Sequence, residues 1–146
     1  MANQQHFTQE WLGDGQILCY RFRELGRESA DEWYAHIRPI FQAWDTSRPL
    51  HMLMDGRAVP ATRLITPHPL KRARQLMDEH PAVLGRTAVI IGHHLTSNII
   101  STMLRTIIKP NRRARSIFHS ESDAIAWLLR YEDPNQSGRS DTAAAR

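Results

Sequence analysis

Short apolar runs typical of strands alternate with amphipathic helical stretches along most of this chain. After an opening hairpin, the order reads helix, strand, helix, strand, helix, strand, helix. The central run, TAVIIG at residues 87–92, is rich in β-branched residues, uncharged and closed by glycine, which is typical of a strand buried on both faces. Strict alternation favours parallel strands joined by right-handed crossovers. The sequence therefore predicts an α/β fold with four right-handed β–α turns on a mostly parallel sheet and an antiparallel N-terminal edge strand.

The first part of the chain carries a hairpin signal and a helix signal. The Asp-Gly pair within GDG favours a tight turn, because both central residues of a type I′ turn need positive φ. We predict that residues 7–12 pair with residues 16–22. Ser29 and Glu32 have capping-box spacing at the start of an amphipathic helix, which contains Pro39.

The later elements have recognisable starts. LHMLMDG at residues 50–56 is a short apolar run and predicts a buried strand. Thr66 lies at the N-cap position and Pro67 at the first position of the next helix. A wide apolar stripe over residues 95–108 predicts a further helix, whose surface serves core packing, a homodimer face or a groove for an acyl chain. Ser120 is expected to cap the last helix.

The chain length of 146 residues fits one domain. We predict a flexible N-terminus at residues 1–5, a single domain over residues 6–132 and a disordered tail at residues 133–146. No apolar run approaches the roughly 20 residues needed to span a bilayer, and the first residues do not form a secretory signal. A lone cysteine, Cys19, favours a reducing compartment, so we expect a cytoplasmic protein.

Positive charge is concentrated in the middle of the chain. Residues 57–120 have a net charge of +9, whereas the segments before and after them have net charges of −3 and −2. Such a pattern suggests either one face for an anionic partner or a solvated surface with local salt bridges. The second basic cluster, KPNRRAR at residues 109–115, lacks accompanying exposed aromatics or a recognition helix, so nucleic acid is an unlikely partner.

The chain resembles a known superfamily. The residues that carry the resemblance are HMLMDGR, GRTAVIIG and RSIFHSESDAIAWLL, in which a late strand leads through a polar cap into an apolar helix. Over residues 7–131 the pattern resembles the SpoIIAA-like fold of STAS domains, and in particular the uncharacterised bacterial STAS/SEC14-like proteins. The resemblance implies a regulatory or binding role and includes no catalytic signature.

In the regulatory members of that superfamily, the anti-sigma-factor antagonists, a kinase phosphorylates a serine in an Asp-Ser-Ser-Gly helix start. The resemblance places Thr66 on the Asp, Pro67 and His68 on the two serines, and Pro69 on the Gly. Neither proline nor histidine offers a hydroxyl, so the serine switch is not expected here. Thr66 retains the only hydroxyl, as a helix cap or as a regulatory site.

The same helix start is a candidate anion site. Unpaired N–H groups and the macrodipole attract anions at a helix N-terminus. Thr66, His68, Lys71, Arg72 and Arg74 lie within its first turns, so they could bind a phosphate or a carboxylate. Two prolines remove donors there, and the alternative interpretation is a solvated helix face.

His93 and His94 follow a central strand, at the sheet edge where α/β proteins bind ligands. With Asp55 at the end of another strand, they form the alternative hypothesis of a small enzyme. The sequence contains no nucleophile elbow, P-loop or dinucleotide fingerprint, and its eight histidines show no metal-ligand spacing. We therefore expect a non-enzymatic regulatory or binding module without cofactor or metal, acting on a protein partner or a small anionic or lipidic ligand, with a homodimer as the alternative use of the apolar stripe over residues 95–108.

Overall fold

The computed structural model describes residues 6–60, 63, 66–93, 98, 102, 105 and 113–132. The predicted flexible N-terminus, the predicted tail and most of the predicted helix at 95–108 lie outside these residues. Within them the elements are β1 (Phe7–Leu12), β2 (Ile17–Phe22), α1 (Arg27–Ala43), β3 (His51–Asp55), α2 (Pro67–Glu79), β4 (Arg86–Ile90), β5 (Ala114–Phe118) and α3 (Glu121–Leu129). In the part of the chain so described, no helix is long and apolar enough to cross a membrane.

The five strands form one sheet in the order β1-β2-β3-β4-β5. β1 pairs antiparallel with β2, and every later pair is parallel. The predicted α/β fold, with its mostly parallel sheet and antiparallel N-terminal edge strand, is confirmed.

The two faces of the sheet have separate cores, because successive side chains of a strand point to opposite faces. On one face, Leu18, Tyr20 and Met52 pack with side chains of α1 and α2. On the other face, Ile17, Cys19, Leu53, Ala88 and Ile90 pack with Ala124 and Leu128 of α3. Of the described helices, α1 and α2, which lead from one parallel strand to the next, therefore share a face, and α3 covers the opposite one.

The predicted hairpin turn is present, with one boundary shifted. Asp14 and Gly15 have φ values of 57° and 79°, and the Gln16 N–H donates to the Gly13 carbonyl at 3.2 Å. Both central residues thus have the positive φ that the Asp-Gly pair predicts. Gln16 belongs to the turn, so β2 begins at Ile17.

The predicted start of α1 is wrong by three residues. Gly26 is the N-cap, and Ser29 lies in the first turn, where its Oγ accepts from the Gly26 N–H at 2.7 Å. Ser29 is therefore not the N-cap residue of α1. Its hydroxyl instead accepts a hydrogen bond from the backbone N–H of the N-cap residue, Gly26. Pro39 lies inside α1, as expected.

A polar junction lies at the amino ends of β3, β4 and β5. The buried Arg113 guanidinium donates to the carbonyls of Leu50 and Arg86, and its Nε donates to Thr87 Oγ1 at 2.7 Å. Buried His51 accepts the Arg86 N–H on Nδ1 at 3.1 Å. These bonds connect the starts of three strands, so the junction fixes their mutual register.

Candidate functional site

A cavity of about 110 Å³ lies between the sheet and the two helices on its first face. We call it the central cavity. Its wall is almost entirely apolar and includes side chains from β2, β3, β4, α1 and α2. Representative wall residues are Phe22, Trp33, Met52, Val59, Leu70 and Met77. The cavity thus lies beneath the first turns of α2, the helix start that the sequence singles out.

Small residues create the space. Ala30 of α1, Ala73 of α2 and Gly56 just after β3 line the central cavity, where larger residues would fill it. Met52 and Met54 of β3 supply flexible, polarisable thioethers, which adapt to ligands of different shape. The small residues therefore leave the central cavity unfilled, and the two methionines allow its wall to adapt to a ligand.

One end of the central cavity is polar. Thr87 of β4 and Arg115 of β5 both line it, and they are register partners on adjacent strands. Adjacent strands lie about 4.8 Å apart, so the two side chains share one end of the cavity. Burial, followed by the positive charge of Arg74, lowers the pKa of the half-buried Arg115 guanidinium. This end carries positive charge that is incompletely solvated.

The sequence analysis did not single out Thr87 or Arg115 as site residues. Arg115 belongs to the basic cluster at 109–115, of which residues 109–112 lie outside the described part of the chain. The alternation of side chains along a strand could have identified Arg115 as a residue that faces the core. Ala114 before it is exposed, and Ile117, on the same face as Arg115, packs in the core that β2 and β3 form with α1 and α2. Recognising the cavity itself needs the packed structure.

The cationic side chains at the start of α2 do not all face solvent. His68 Nε2 lies 2.7 Å from Asp31 Oδ1, and the Arg72 Nε donates to the same oxygen at 2.8 Å. The hydrogen bond with His68, and then that with Arg72, lowers the pKa of the Asp31 carboxyl. Lys71 and Arg74 are exposed. Two of the predicted anion-binding residues, His68 and Arg72, therefore already bind the carboxylate of Asp31 in α1. Binding of an external anion at this helix start stays a prediction.

Thr66 is the N-cap residue of α2, as predicted, but its hydroxyl does not cap the helix. Thr66 Oγ1 donates to the Arg63 carbonyl at 2.9 Å, and no side-chain cap bond forms. Pro67 and Pro69 remove N–H groups from the first turn, which explains why the cap bond is dispensable. A regulatory role of Thr66 stays a prediction.

Among the described residues, no hydrogen bond joins His93 to Asp55. The exposed His93 ring stacks on His119 with 4.7 Å between centroids, and His94 lies outside the described residues. The Asp55 carboxylate accepts from Arg57 Nη2 at 2.7 Å and from Arg21 Nη1 at 3.0 Å. Asp55 is therefore neutralised by two arginines at the carboxyl edge of the sheet.

Replacing Asp55 with asparagine is expected to lower the free energy of unfolding by about 2 kcal/mol, because the charge-assisted hydrogen bonds from two arginines are weakened at a buried site. Burial raises the pKa of Asp55, but the bonds from Arg57 and Arg21 outweigh it and the net shift is downward. Since the folded pKa is depressed, this stabilisation is present above the unfolded pKa of about 3.9 and is lost as the pH falls through the folded value.

Urea unfolding of D55N at neutral pH measures this effect. The matched control is E10Q, because Glu10 contacts the same Arg21 at 2.7 Å on the exposed side. We expect E10Q to cost less than about 0.5 kcal/mol, in keeping with exposed ion pairs. Equal losses for the two variants would contradict the role given to Asp55.

One group of side chains has the composition of a metal site. Ligand atoms of His6, Glu28 and Glu32 lie within 4.8 Å of one another. His6 Nδ1 lies 2.8 Å from Glu32, and this hydrogen bond raises the pKa of His6 against the opposing effect of burial. These contacts form an ion-pair cluster between the residue that precedes β1 and the helix α1.

No protein-family model and no curated protein matches the chain. In three dimensions the chain is similar to an uncharacterised protein of the DUF3478 family from Shewanella loihica PV-4, which is described as having a SpoIIAA-like fold. The identity is 18%, the TM-score is 0.55, and the likeness covers 88% of this chain and 98% of that chain. The predicted resemblance to the SpoIIAA-like superfamily is confirmed at the level of fold.

Proposed function

On this SpoIIAA-like fold, we propose that the chain is a non-enzymatic binding module that holds a small apolar or amphipathic molecule in the central cavity. The observation that carries the proposal is the cavity itself, with an apolar wall and polar groups at one end. Ligand sites in proteins commonly combine mostly apolar walls with a few placed polar groups. A regulatory role, with a protein partner or a second copy responding to the ligand, is part of the same proposal, as is a cytoplasmic location.

The size of the central cavity limits the ligand. An apolar cavity of about 150 Å³ accepts benzene. The 110 Å³ measured here suits a molecule, or part of a molecule, of similar or slightly smaller bulk. The proposed ligand is therefore small, and a lipid would insert at most a short part of one chain.

The composition of the wall supports binding rather than catalysis. Among the described residues that line the central cavity there is no histidine, cysteine or carboxylate. These side chains are common general acids, bases and nucleophiles in enzymes, and the hydroxyl of Thr87 on the same wall accepts a hydrogen bond from Arg113 with no such base among the described wall residues. The alternative enzyme based on His93, His94 and Asp55 has weaker support, because two arginines engage Asp55 and His93 stacks on His119.

Filling the cavity tests the proposal. We expect A73L to weaken the binding of small apolar probes such as benzene and hexanol at least tenfold, because three added carbon atoms occupy the space. Titrations followed by ¹H–¹⁵N correlation spectra of the full chain measure the affinity and locate the shifted residues. In the wild type, saturable shifts should concentrate on Trp33, Met54 and Val89, which line the cavity.

The matched control is A35L, which adds the same carbons to an exposed position of α1. We expect A35L to bind the probes as the wild type does. If the wild type shows no saturable shifts, or if A73L binds as tightly as A35L, the central cavity is not a ligand site.

A further inference from the structure

A residue on the wall of the central cavity has a buried N–H group without an acceptor. Trp33 of α1 lines the cavity and is only 3% exposed. Its indole Nε1 is shielded from solvent, and none of the described residues accepts its proton. An indole nitrogen can only donate, and leaving a buried donor without an acceptor is unfavourable. The Trp33 N–H therefore favours a ligand that carries an acceptor.

The surroundings of the Trp33 ring explain why the protein supplies no acceptor. The neighbouring wall residues Phe22, Met52 and Leu70 offer carbon atoms and a thioether sulfur, which is a weak acceptor at best. By contrast, the Trp44 indole at the end of α1 donates to the Arg48 carbonyl at 3.0 Å. The missing bond is thus a property of the position that Trp33 occupies beside the central cavity.

Water does not suit this space as the acceptor. A buried water molecule is held by about three hydrogen bonds to polar groups. The wall of the central cavity is almost entirely apolar, so a water molecule beside Trp33 would lack most of these partners. An organic ligand can bring an acceptor to the Trp33 N–H and also fill the apolar space.

We propose that the central cavity binds a small neutral molecule whose carbonyl or ether oxygen accepts a hydrogen bond from Trp33 Nε1. The proposal rests on the proposed function of the cavity as a ligand site and adds the chemical class of the ligand. One uncharged N–H donor matches one neutral oxygen, but it does not compensate a carboxylate for its lost hydration. The ligand oxygen is placed on Trp33 and not on Arg115, which takes part in a further interaction.

The volume of the central cavity sets the size of the probes. The volume of about 110 Å³ suits roughly six non-hydrogen atoms, on the scale of a cavity that accepts benzene. Cyclopentanone and methylenecyclopentane both have this size and share one shape, but only the ketone carries an acceptor. Butanoate has the same number of non-hydrogen atoms and a negative charge.

The direct test observes the Trp33 Nε1–H signal in ¹H–¹⁵N spectra of the full-length wild type, assigned through the protons of its own ring. We expect cyclopentanone to move this signal downfield in a saturable way, because a hydrogen bond to oxygen deshields the proton. Methylenecyclopentane should bind without a downfield shift. The indole signals of Trp11, Trp44 and Trp127, which are not among the described wall residues, should stay in place with both ligands.

The affinity test uses W33F, which removes the N–H donor together with part of the ring. Because the two neutral ligands share one shape, the affinity for methylenecyclopentane measures the effect of the lost ring atoms on packing. We expect the ratio of cyclopentanone affinity to methylenecyclopentane affinity to fall about tenfold in W33F, the scale of one buried hydrogen bond. The control W127F makes the same change on the opposite face of the sheet and should keep the wild-type ratio.

The outcomes separate this inference from the function on which it rests. Suppose that both neutral ligands bind but the Trp33 Nε1–H signal does not move downfield, or that W33F keeps the affinity ratio. The cavity is then a ligand site, but the hydrogen bond is wrong. Tighter binding of butanoate than of cyclopentanone would overturn the neutral class. If none of the three compounds binds, both the inference and the proposed function fall. The spectra use the wild type alone, so the test remains decisive even if W33F does not fold.

Discussion

Replacing Gly85 with alanine is expected to lower the free energy of unfolding by about 4 kcal/mol, among the largest effects of a single substitution. Gly85 precedes β4 with a φ of 146°, a conformation that residues with a side chain rarely adopt. A Cβ at this position would lie 2.2 Å from the Leu50 carbonyl oxygen. That carbonyl accepts from Arg113 in the strand junction, so moving it away would also disturb the starts of β3 and β5.

Gly15 provides the matched control. Its φ is also positive, at 79°, but nothing lies within 4 Å of the position of an added Cβ. G15A therefore carries the backbone cost alone, about 1–2 kcal/mol. Urea unfolding monitored by tryptophan fluorescence compares the two variants. Equal losses for G85A and G15A would show that the close approach to Leu50 does not determine the stability of the junction.

A second large effect is expected from pH. Burial, and then the charges of Arg113 and Arg86, lower the pKa of His51 from 6.5 to about 4. The unfolded chain therefore binds a proton at this histidine at higher pH than the folded chain does. Its contribution to stability is full above about pH 6.5, falls as the pH is lowered, and is lost by about pH 4, an overall change of about 3 kcal/mol.

Unfolding free energies measured from pH 7 to pH 4.5 test this expectation. H51Q keeps an acceptor for the Arg86 N–H but cannot titrate, so its stability should depend less steeply on pH than that of the wild type. H6Q should change the slope in the opposite direction, because the folded pKa of His6 is raised and its contribution is lost as the pH rises. An unchanged slope in H51Q would mean that His51 is not the titrating group.

The strand and helix pattern could be derived from the sequence because local signals and packing agree. The run TAVIIG at residues 87–92 identifies β4, which begins one residue before the run and ends two residues before its end, and the Asp-Gly turn joins β1 to β2. The start of α1 was placed too late because Ser29 satisfies a capping rule from inside the helix. Local rules of this kind identify an element more securely than its first residue.

The candidate site was less accessible to sequence reasoning, for a physical reason. The sequence predicts either an anion site or a solvated face at the start of α2, but His68 and Arg72 pair with Asp31, which lies 37 and 41 residues away along the chain. Only tertiary packing brings these groups together. Thr87 and Arg115 likewise meet because β4 and β5 pair in one particular register. A cavity is a property of what side chains leave empty, and a sequence pattern does not show it.

The separate cover of the two sheet faces affects how the protein emerges from the ribosome. Among the described elements α3 alone packs over Ile17, Cys19, Leu53, Ala88 and Ile90, and it follows all five strands along the chain. Since domains are synthesised from the N-terminus, the contacts of α3 with this apolar face form only after residues 121–129 have left the exit tunnel, when all five strands have already been made.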